Sequence, residues 1–103
     1  MTHDEKKISD NHILALINKL TEGKDDKNAA MYIRGDAEFQ EASFYIKGDF
    51  RLLAQTIQHH ITANEEFKKF IFAVVGSYLV NNEQDKKEFL AGLEITKQTF
   101  GIN

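Results

Sequence analysis

The chain has 103 residues (11.8 kDa), no cysteine, proline or tryptophan, 42% hydrophobic and 28% charged residues, and a formal net charge of −3. That length fits one domain, expected over residues 1–103, and the balance of apolar and charged residues is that of a folded chain, not a disordered tail. The missing cysteines exclude disulfides, thiolate-bound zinc, iron–sulfur clusters and cysteine nucleophiles.

Residues 1–8 are expected as a flexible amino terminus. They hold no apolar run of the kind a secretory signal needs, so a cytoplasmic location is the expectation. Residues 9–22 read as a first helix. Ile13, Leu14, Leu16, Ile17 and Leu20 make its apolar stripe, Ser9 is a candidate N-cap, and Gly23 sits where a left-handed residue ends a helix. A polar loop starting at Lys24 follows.

The periodicity then changes from helical to alternating. Ala29, Met31 and Ile33 alternate with Ala30, Tyr32 and Arg34; Ala42, Phe44 and Ile46 alternate with Ser43, Tyr45 and Lys47. This predicts a β-hairpin. A two-residue turn at Gly35-Asp36 would set Tyr32 opposite Phe39 and place the Met31/Phe44 set on one face; a longer loop is the other option. Gly48-Asp49 ends the second strand and caps a second helix, whose stripe is Phe50, Leu53, Ala54, Ile57 and Ile61.

A third helix is expected over residues 63–81, opened by the capping-box spacing Thr62-Ala63-Asn64-Glu65. Phe67, Phe70, Ile71, Val74 and Tyr78 form one stripe, and Phe72, Val75 and Leu79 form a second, with Gly76 beside it. A helix apolar all round is buried all round, either at the centre of the domain or in a subunit interface. Asn81-Asn82 breaks it. Over residues 83–100, Phe89, Leu90, Leu93 and Phe100 suit a fourth helix, preferred over a short strand at Leu93-Glu94-Ile95-Thr96.

The expected fold is therefore α+β: a helix, one hairpin, then two or three helices packed on the hairpin. A lone hairpin has two bare edges. Joining hairpins across a two-fold axis would complete a four-stranded sheet, and Phe72, Val75, Gly76 and Leu79 are candidate self-association residues on the third helix. Both routes point to a homodimer. No membrane span is expected, because the longest apolar stretch, residues 70–80, is well short of the ~20 residues a bilayer needs.

Chemistry finds little purchase. His59 and His60 are adjacent, so on a helix they diverge and do not clamp one metal from one face. The chain has no nucleophile elbow, phosphate loop or dinucleotide fingerprint. Asp36, Glu38 and Glu41 read as solvated turn residues. No catalytic, metal or cofactor-binding residue is assigned, and the expected function is a non-catalytic protein-interaction or regulatory module. Tyr32, Phe39 and Tyr45 are its candidate partner-binding residues, since tyrosine buries area while keeping its hydroxyl wet. One alternative is a nucleic-acid accessory protein using Arg34, Lys47 and Arg51 near the strand-to-helix junction. It is disfavoured because each lysine pair lies beside acidic residues. The second alternative is a small-molecule-binding protein with a pocket between hairpin and helices.

Overall fold

The computed structural model describes residues 1–23 and 27–100, with side chains described to residue 98. Its elements are α1 (His3–Thr21), β1 (Ala29–Asp36), β2 (Glu41–Gly48), α2 (Phe50–Ala63), α3 (Glu65–Val80) and α4 (Glu83–Phe100). This is the α+β order expected from the periodicity: helix, antiparallel hairpin, three helices. The structure divides into two compact units, Met1–His59 and His60–Asn103. Residues 24–26 of the expected polar loop and the side chain of Phe100 lie outside the described residues.

In the first unit, α1 starts at His3 and not at Ser9, because Thr2 and Glu5 form a capping box. The Thr2 hydroxyl accepts the Glu5 N–H at 3.1 Å, and the Glu5 carboxylate accepts the Thr2 N–H at 3.1 Å. The helix ends where Gly23 takes a left-handed φ of +68°. Its inward face keeps part of the expected stripe and adds polar residues to it. Asp10, Ile17 and Thr21 are buried, Ile13 and Leu14 half-buried, while Leu16 and Leu20 point to solvent. Ile17 is the one buried apolar side chain among the described residues.

The hairpin register pairs Tyr32 with Tyr45 and Asp36 with Glu41, leaving a four-residue loop over residues 37–40. The two-residue turn is thus replaced by a longer one. Asp36 directs it: its carboxylate accepts the Phe39 N–H at 3.1 Å, and Gln40 takes a positive φ of 53°. Gly35 lies within β1, opposite Ala42. Both loops are even-numbered, so the faces keep their membership although the register moves. Met31, Ile33, Ala42, Phe44 and Ile46 share the outer face. Tyr32, Arg34, Ser43 and Tyr45 share the inner one, on which α1 packs.

Gly48 closes the hairpin at a φ of +100°, so near Asn28 that any β-carbon there would overlap the Asn28 carbonyl. Only glycine fits. The Asp49 N–H donates to that carbonyl at 3.1 Å, and the Asp49 carboxylate caps α2 by accepting the N–H groups of Arg51 (2.8 Å) and Leu52 (3.1 Å).

In the second unit, Asn64 and not Thr62 caps α3, its side-chain oxygen accepting the Phe67 N–H at 2.9 Å. The helix stops at Asn81 and Asn82, whose side-chain amides donate to the carbonyls of Ser77 (3.0 Å) and Tyr78 (2.7 Å). Asparagine side chains that satisfy the last carbonyls of a helix make a sharp stop. α4 packs against α3, tied by the Tyr78 hydroxyl donating to Asp85, and it runs as helix through Gly92. No side chain of α3, and none described on α4, is buried.

Candidate functional site

Two surfaces compete for attention: the polar seam between α1 and the hairpin, and the apolar faces that nothing covers. At the centre of the seam Asp10 is 6% exposed. Its carboxylate accepts Nε of Arg34 at 2.8 Å, Nη2 of Arg34 at 2.7 Å, the Tyr32 hydroxyl at 2.6 Å and the Ser43 hydroxyl at 3.3 Å. Fork-to-fork pairing of guanidinium and carboxylate fixes orientation as well as charge. Arg34 and then Tyr32 hold the Asp10 carboxyl well below the usual carboxylate range. Asp10 reciprocally raises the Arg34 guanidinium and the Tyr32 phenol.

The seam continues toward the hairpin tip. Lys6 Nζ donates to Asp36 at 2.6 Å and Glu38 at 3.4 Å, and Arg34 Nη1 donates to the same Asp36 oxygen at 3.2 Å. With Lys6 the largest influence and the Phe39 N–H next, the Asp36 carboxyl is lowered to about 2. His3 Nε2 lies 2.6 Å from Glu41 Oε1, and Lys7 Nζ is 3.2 Å from Glu41 Oε2, close enough to pair but not aligned to donate. Asp36, expected in solvent, is almost wholly enclosed, and Glu41 is half-buried.

The structure brings two of the three candidate partner-binding residues together. Tyr32 and Tyr45 are cross-strand neighbours beneath α1, each half-buried, with hydroxyls donating to Asp10 and to Asn18 (2.7 Å) respectively. Phe39 sits apart in the tip loop, its ring 4.7 Å from that of His3 and 4.7 Å beneath the Lys6 ammonium. Of the candidate nucleic-acid contacts, Arg34 is committed to Asp10 and Asp36. Lys47 donates at 3.0 Å to the same Asn18 oxygen as Tyr45, and Arg51 is exposed in the first turn of α2. Elsewhere Lys68 pairs with Glu65 at 2.9 Å and Lys69 with Glu66 at 4.0 Å.

An open groove of about 330 Å³ between α1 and β2 has Asp10, Tyr32 and Ser43 in its floor. The Tyr32 and Ser43 hydroxyls both donate to Asp10, so these three groups are already engaged with one another and not turned to a ligand. Among the described residues no group of three or more histidine or carboxylate side chains is placed to hold a metal ion. No helix among them is long and apolar enough to cross a membrane.

The uncovered faces are of a different kind. On the outer face of the hairpin Ile33 is 71% exposed and Phe44 63%, with Met31 beside them. Of the four candidate self-association residues on α3, Phe72 (64%), Val75 (40%) and Gly76 are exposed and Leu79 is half-buried. Phe70, Val74 and Tyr78 of the same helix are also exposed, and Phe89, Leu90, Leu93 and Ile95 are exposed on α4. Periodicity marked these residues as apolar, whereas Lys6, Asp10 and Asp36 carried no such signal. The Thr2-x-x-Glu5 spacing was the one available clue that the helix reached far enough back to bring Lys6 to the hairpin. No protein-family model matches the chain, and comparisons with curated proteins and with solved structures return no match.

Proposed function

We propose that the protein is a non-catalytic protein-interaction module, in which the first unit is a polar-locked scaffold and the apolar faces are the working surfaces. One observation carries this reading: most of the large apolar side chains of α3, α4 and the outer hairpin face are exposed, and Ile17 is the sole buried apolar residue among those described. Large apolar patches left open are what protein contacts use. The polar seam supports the same reading from the other side. Its carboxylates are held ionised by matched cations, so they are poor candidates for general acid–base work near neutral pH.

The test combines solution mass by light scattering with binding of an anilinonaphthalene sulfonate dye. A mass above that of one chain, or a single chain that binds the dye strongly, is the expected result. A single chain that leaves the dye dark would show the apolar faces to be covered already, and the proposal would fail.

A further inference from the structure

We draw no further inference here: the strongest candidate, the exposed apolar surface patch of α3 that includes Phe72 and Val75, carries nothing because nothing in the structure shows what covers it.

Discussion

Between α1 and the hairpin, most of what is withdrawn from water is polar: Asp10 and Asp36, with Arg34 and Lys6 closing over them. In the α3–α4 hairpin the reverse holds: most of the apolar side chains are exposed, Phe67, Ile71 and Leu79 are half-buried, and none described is buried. The two kinds of surface do different work. A directional network of ions is satisfied in one geometry only, so it fixes how α1 sits on the sheet. An apolar flank is non-directional and adhesive, and it gains free energy wherever it meets a complementary apolar surface. The first unit is thus specified from within. The second displays its apolar area on the outside.

The sharpest way to break this contrast is to ask which buried residue of α1 matters more. Asp10→Ala should lower the melting temperature further than Ile17→Ala, because it leaves the Arg34 guanidinium and two hydroxyls without their acceptor. If Ile17→Ala proves the more damaging, the first unit is an ordinary apolar core and the contrast fails. Acid gives the same test without mutation. Asp10, Asp36 and Glu41 all have lowered pKa values when folded, so their contribution is complete above the ordinary carboxylate range and is lost on acidification. Protection of α1 and hairpin amides from hydrogen exchange should therefore be flat above about pH 5. It should decline as pH falls below 3.8 toward the Asp36 value of about 2. A loss centred near neutrality would overturn the assignment to these carboxylates.

A smaller effect is expected from Gly48→Ala. Its positive φ and the overlap with Asn28 require the strand end to shift, at about 1–3 kcal/mol in urea titration. The smallest sharpens the contrast at the helix starts. Asp49→Ala and Asn64→Ala each remove one N-cap, at about 1 kcal/mol apiece. The first should loosen α2 and the second α3, read as local exchange at Leu52 and Phe67.

What could be read in advance follows from the range of the forces. Element order, the shared face of Met31, Ile33, Ala42 and Phe44 and the Asp49 cap came from local periodicity and spacing, and the structure holds to them; which face α1 covers did not, since the tyrosine face was read as the open one and it lies beneath α1. The polar seam was not legible. Lys6 meets Asp36 thirty positions away and Asp10 meets Arg34 twenty-four away, and nothing in the alternation of residues announces such a pairing. For the same reason Asp36 and Glu41 read as solvated loop residues. Leu16 and Leu20 were expected inside from the spacing of the apolar stripe; of that stripe Ile17 is buried, and Asp10 and Thr21 are buried with it where the leucines are not. The apolar girth of α3 was plain from its residues, and its exposure in a single chain follows from a second unit too small to wrap it.

The widest tie in the seam, His3 to Glu41, spans 38 positions, so everything that locks α1 to the hairpin has been synthesised before the first residue of α3. Chains fold from the amino terminus as they are made, and short-range pairings close quickly. The nascent protein can therefore finish its ionic clasp before α3, with its uncharged run from Phe70 to Asn82, has been made.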